Sequence, residues 1–179
     1  MPSVGQTGVS QQVSSNATTR RVITAMKKQP AIERQSSTAG KLTVLSVSPQ
    51  VEDHQSLQAI IGQSKHWMQF TASDLASALA LLEEHEIAVL LCERDLLPGG
   101  WTDVLERIQS MPNAPSLIVT SRLADEHLWA EALNLGAWDV LAKPFDRMEV
   151  IRSIKSAWQH WHDETNLNRS TEQMASAAG

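Results

Sequence analysis

The chain has 179 residues, 42% of them hydrophobic and 20% charged, a composition that suits one soluble domain of ordinary size with a core large enough to need no staples. No apolar run approaches the roughly 20 residues that cross a bilayer and the N-terminus lacks the apolar stretch of a secretory signal, so a membrane protein is excluded and a cytoplasmic location is expected. The net charge of -5 is unevenly spread: residues 1–40 carry +4, while residues 41–163 hold 9 basic against 17 acidic residues, and this acidic body argues against nucleic acid as a partner.

Residues 1–40 are rich in Ser, Thr, Gln and Gly and show no sustained period, which predicts a disordered N-terminal arm. The body begins with a strand at "LTVLSVS" (42–48), followed by a helix whose inward face carries Leu57, Ile60 and Ile61. "HWMQFTA" (66–72) predicts a weaker strand; the next helix has Ser73 as its N-cap and Leu75, Leu79 and Leu82 facing inward. "IAVLLC" (87–92) is apolar throughout, as a strand covered on both faces should be. Its lone cysteine, Cys92, has no partner for an internal disulfide and reads as a small core residue. "PGG" (98–100) predicts a turn, and Trp101, Val104, Leu105 and Ile108 mark the helix after it. "SLIVTS" (116–121) is a fourth strand, and Leu128, Ala132 and Leu135 line a helix closed by Gly136. "WDVLA" (138–142) is the last strand; Ile151, Ile154, Trp158 and Trp161 form the inward stripe of the last helix. From Glu164 the residues turn small and polar, predicting a flexible C-terminal tail over 164–179.

Five β/α units joined by short links predict a parallel sheet with helices on both faces, in the flavodoxin-like order 2-1-3-4-5. Ligands of such a sheet sit at the carboxyl ends of the strands, beside the switch point between strands 1 and 3, which is where "CERDLLPGG" begins.

"VTS" (119–121), "AWDVLAKPFD" (137–146) and the charged end of the third strand together resemble the receiver domain of two-component response regulators, over residues 41–163. The resemblance implies a phosphoryl acceptor at the end of strand 3, a magnesium ion held there and by an acidic pair after strand 1, and a hydroxyl and a lysine that contact the phosphoryl oxygens, with cations neutralising the moving charge. Thr120 matches the hydroxyl, Lys143 the lysine, and Pro144 the proline whose peptide bond in that family is usually cis. The acceptor position falls on Glu93, with Asp95 as the runner-up. The acidic-pair positions are Ser48 and Pro49, which supply no carboxylate; Glu52 and Asp53 come further on, one turn too late in the first helix. Val140 stands at the strand 5 position that is aromatic in the family.

These departures predict a pseudo-receiver: a stand-alone, non-enzymatic signalling protein that acts through protein-protein interaction, holds no cofactor, and does not undergo the usual phosphorylation. Its partner is expected to be a histidine kinase or an output protein, and Trp129, Trp138 and Val140 place a contact or homodimer surface on helix 4, strand 5 and helix 5. Two rival readings are an active receiver phosphorylated at Asp95 or Glu93, and a flavodoxin-like cofactor binder. The second lacks a glycine-rich phosphate loop. A metal site of histidines is not expected, because His160 and His162 are two apart on a helix and the other four are scattered.

Overall fold

A computed structural model of the chain describes residues 41–177; the arm expected at residues 1–40 lies outside them. In chain order the elements are β1 (Leu42–Val47), α1 (Val51–Ile61), β2 (Trp67–Ala72), α2 (Leu75–Glu84), β3 (Val89–Glu93), α3 (Trp101–Gln109), β4 (Ser116–Ser121), α4 (Glu126–Leu135), β5 (Asp139–Ala142) and α5 (Arg147–Ala177). The strands form one parallel sheet in the order β2-β1-β3-β4-β5, as predicted. Among the described residues no helix is long and apolar enough to cross a membrane.

The alternation of side chains along each strand divides the core into two layers. Leu45, Leu90, Cys92, Leu117, Val119 and Val140 face the layer that also holds Trp101, Val104, Ile108 and Leu128 from α3 and α4. Val44, Val89, Leu91, Ile118 and Leu141 face the other, built with Leu57 and Ile61 of α1 and Val150, Ile154, Ala157 and Trp161 of α5. A strand sandwiched in this way is apolar wherever both faces are covered, as β3 is from Val89 to Cys92; Glu93, at its carboxyl end, is buried as well.

Several local expectations are corrected. The cap of α2 is Asp74, whose Oδ1 accepts from the Ser77 N–H at 2.8 Å, while Ser73 donates to the other carboxylate oxygen. These bonds hold the Asp74 carboxyl below its ordinary 3.8, led by the Ser77 N–H, so its contribution to stability is present above that value and fades as the pH falls through the lowered one. The same helix meets the sheet through fully buried Ala78, leaving Leu75, Leu79 and Leu82 half-buried around it. Leu135, expected inward, is 48% exposed, but Gly136 closes α4 in the left-handed region (φ 106°) as predicted. Gly99 adopts φ 85° in the predicted turn.

The stripe of α5 that enters the core is Val150, Ile154, Ala157 and Trp161; Ile151 and Trp158 lie half-buried beside it. Nor does this helix stop at Asp163. It runs 31 residues, about 46 Å, to Ala177, where a flexible tail was expected from Glu164. No glycine or proline interrupts it. Thr165 is buried, its hydroxyl donating to the Trp161 carbonyl at 2.9 Å, and Arg169 pairs with Glu86 at 2.8 Å.

Candidate functional site

Parallel pairing delivers the carboxyl ends of β1, β3, β4 and β5 to one edge of the sheet. In this register Val47 lies beside Cys92, Glu93 beside Thr120, and Thr120 beside Leu141, so Ser48, Glu93, Thr120 and Lys143 come together just past or at the strand ends. The Lys143–Pro144 peptide bond is cis, as the resemblance implies. Lys143 N–H donates to the Ser121 carbonyl at 2.9 Å, which ties the end of β5 to that of β4.

At this edge the Lys143 ammonium donates to two carboxylates, Glu93 through Oε2 and Asp53 through Oδ2. All three side chains are withdrawn from water, at 7% exposure for Lys143, 12% for Glu93 and 11% for Asp53. Ser48 Oγ donates to the same Asp53 Oδ2 at 2.6 Å and itself accepts from the Gln50 N–H at 3.1 Å. The other Glu93 oxygen faces the Asp95 N–H at 3.4 Å. Thr120 is buried next to Glu93, its carbonyl accepting from the Arg94 N–H at 2.9 Å.

Asp53 therefore belongs to the cluster, which corrects the expectation that it comes one turn too late. Pro49 and Gln50 carry the chain off β1, and the helix opens at Val51. In a helix each Cα–Cβ bond tilts toward the N-terminus, so a carboxylate in the first turn reaches back to the strand ends. The positive end of the helix dipole favours it there. Asp53, Leu57 and Ile61 are the buried residues of α1, spaced by four. A carboxylate in phase with the apolar stripe was the signal in the sequence that it faces inward. Its neighbour Glu52 is exposed and lines, with Arg122, Pro144 and Phe145, a cleft of about 320 Å³ at the mouth of the site.

His54 braces the same loop. Its Nε2 lies 2.9 Å from the Ser48 carbonyl, which can only accept, so Nε2 carries the proton and Nδ1 is left to accept from Ser46 Oγ at 2.9 Å in the neutral ring. No feature of the sequence marked this histidine as part of the strand 1 loop.

The other predicted residues fall in three places. Asp95, with its side chain 82% exposed and 3.8 Å from Arg94, points away from the cluster. Pro49 is exposed where Ser48 is buried. Val140 is a core residue, Trp138 stacks on His160 with centroids 4.5 Å apart, and Trp129 stands 47% exposed on α4. Among the described residues no three His, Cys, Asp or Glu side chains are placed to hold a metal ion.

Cys92, one residue before Glu93, is fully buried, and desolvation first, then the Glu93 charge, pushes its thiol up to about 12. The folded thiol thus keeps its proton where an unfolded one, near 9.0, has lost it; the group favours the fold below pH 9 and that contribution fades as pH rises from 9 to 12. Ellman's reagent at pH 8 is expected to leave Cys92 unmodified in the native protein and to label it at the rate of unfolding in urea. Rapid labelling without denaturant would contradict its burial.

Residues 49–155 match the family model of the response regulator receiver domain. Over 76 residues, 41% of the chain, the sequence is 38% identical to "Transcriptional activator protein IrlR" of Burkholderia pseudomallei, and the match spans 31% of that relative's length. The fold is similar to the signal receiver domain of an HD domain-containing protein from Pseudomonas fluorescens (27% identity, TM-score 0.64, covering 71% of this chain and 93% of that one). It is also similar to a response regulator receiver domain protein of Methanospirillum hungatei (20% identity, TM-score 0.60, covering 69% and 98%). With more than half the chain matched, and with the five-stranded order and the lysine-proline pair at the predicted strand end, the chain belongs to the response regulator receiver domain family.

Proposed function

We propose that this receiver domain signals through protein-protein contact in a single fixed state, without phosphorylation at the strand 3 position. The observation that carries the reading is the ion cluster: the lysine that would meet a phosphoryl group is held by Glu93 and Asp53 together. Two carboxylates balanced by one buried ammonium leave a net charge of only about -1 for a divalent cation, and the Ser48 hydroxyl is already spent on Asp53. The residues present do not fit magnesium. Glutamate also carries its carboxylate one methylene further than aspartate does, which brings it onto Lys143. The pair resembles the contact a phosphorylated acceptor would make, though one charge replaces the roughly -2 of a phosphoryl group.

Calorimetric titration with magnesium chloride tests the cation half of this reading. Wild type is expected to give no binding heat at millimolar magnesium, whereas Lys143→Met, which frees both carboxylates, is expected to bind. Saturable binding by wild type would sink the reading.

For the partner, support comes from α4, where Trp129 (47% exposed) and Leu133 (38% exposed), four residues apart, form an apolar strip beside β5. Truncating a tryptophan anchor costs about 2 kcal/mol or more of binding. In sedimentation and pull-down, Trp129→Ala is accordingly expected to weaken self-association or partner capture by over about tenfold. Unchanged behaviour in both would remove this face from the account. Regulation of transcription, by likeness to the activator of Burkholderia pseudomallei, is the output this proposal favours.

A further inference from the structure

We propose that the cleft between the C-terminal end of α1, the start of β2 and the outer side of α5 binds a small amphipathic anion: a molecule with an aromatic or similarly bulky apolar body and one carboxylate, sulfonate or phosphate head. The cleft is on the α1/α5 face of the sheet, away from the cluster around Lys143, and neither the family match nor the proposed signalling role assigns it a ligand.

Its size is the first argument. At about 520 Å³ it falls within the range of roughly 300–1,000 Å³ typical of small-molecule sites. The walls are the second. Ile60, Trp67, Ile151 and Trp158 line it, all of them half-buried. On α5 the smaller Val150 and Ala157 occupy the core, while Ile151 and Trp158, two of the largest apolar side chains of the helix, are left facing the cleft. Holding that much apolar surface at water is unfavourable unless something covers it.

Charge selects the ligand. Within a body that carries 17 acidic residues, no Asp or Glu among the described residues lines this cleft, and the charged residues among them that do are Arg147 and Lys155. Among the described residues neither cation is paired with a carboxylate. Arg147 opens α5, the end of a helix at which a positive charge is disfavoured, so helix stability does not explain its position. Arg147, Ile151, Lys155 and Trp158 follow one another at spacings of four, four and three and so share one face of α5. That face offers cation, apolar, cation, aromatic in sequence: a head group between Arg147 and Lys155 places the body of the ligand against Ile151, Trp158 and Trp67.

Two fluorescent probes that differ only in the head group test this on the full chain: 1-anilinonaphthalene-8-sulfonate and the uncharged N-phenyl-1-naphthylamine. Wild type is expected to give a saturable, one-site rise in fluorescence with the sulfonate and weaker binding of the neutral probe. The double variant Arg147→Gln/Lys155→Gln alters two exposed side chains, and is expected to lose about tenfold in affinity for the sulfonate while binding the neutral probe as wild type does. Ile151→Gln is expected to weaken both probes, with far-UV circular dichroism confirming that it folds. Sulfonate binding that fails to saturate, that is equal in wild type and the double variant, or that survives Ile151→Gln would overturn the proposal.

Discussion

Replacing Lys143 with methionine is expected to lower the unfolding free energy by about 3–5 kcal/mol, the cost of removing one partner from a buried ion pair and leaving the other uncompensated. The full range for a buried pair applies because two carboxylates, Glu93 and Asp53, are then left without the ammonium at 12% and 11% exposure. Urea unfolding followed by circular dichroism gives the number directly. Adding Glu93→Gln and Asp53→Asn to Lys143→Met is expected to recover more than half of the loss, because a neutral set in the same volume carries no unpaired charge. If Lys143→Met cost less than about 1 kcal/mol, the ammonium would be solvated and the cluster would resemble an ordinary surface pair.

The second large effect concerns Asp53. Substitution by asparagine removes the charge that Lys143 and Ser48 both contact, and the expected loss is about 1.5–3 kcal/mol, the range for hydrogen bonds to a charged group. It is smaller than the Lys143 effect because Glu93 still neutralises the ammonium. Glu52→Gln, one residue earlier and exposed, is the control and should fall within about 0.5 kcal/mol of wild type. Equal losses at the two positions would mean that the first-turn carboxylates act through the helix dipole alone.

The topology was legible because a parallel sheet covered on both faces leaves a plain trace in sequence. "IAVLLC" has no polar face to disguise it, "SLIVTS" keeps the apolar run Leu117–Val119 at its centre, and the spacing of the helical stripes leaves few alternative connections. Thr120, Lys143 and Pro144 were picked out by another route, the resemblance of "VTS" and "AWDVLAKPFD" to receiver domains, and they lie at the end of β4 and just past β5. Harder to see was anything that depends on helix phase. Val150/Ala157 and Ile151/Trp158 are alternative stripes that share Ile154 and Trp161, and bulk favours the second, yet close approach of α5 to the sheet admits the smaller pair. Asp53 was missed because a carboxylate on an inward stripe runs against the binary pattern, and such a conflict marks a functional or strained position more often than an error. The end of α5 was misjudged on composition: polar residues without glycine or proline are no barrier to a helix already anchored by Trp161 and Thr165.

The cluster also bears on how the domain could change state. A switch needs an element with two arrangements that a ligand or modification favours unequally. Here Lys143 joins β5 to β3 through Glu93 and to α1 through Asp53, so three of the elements around the site are tied by groups already on the chain. Within the proposed function, signalling is regulated by the amount of protein or by its partner, and not by phosphoryl transfer.

Intact mass after incubation with magnesium and acetyl phosphate tests that claim most directly, with wild type run beside a variant carrying Ser48→Asp, Pro49→Asp, Asp53→Asn and Glu93→Asp. The account predicts no added phosphoryl mass on wild type and an added, acid-stable and base-labile phosphoryl group on the variant, in which the acidic pair and the aspartate are restored and Lys143 is released from Asp53. A phosphoryl adduct on wild type, mapped to Glu93 or Asp95, would contradict it.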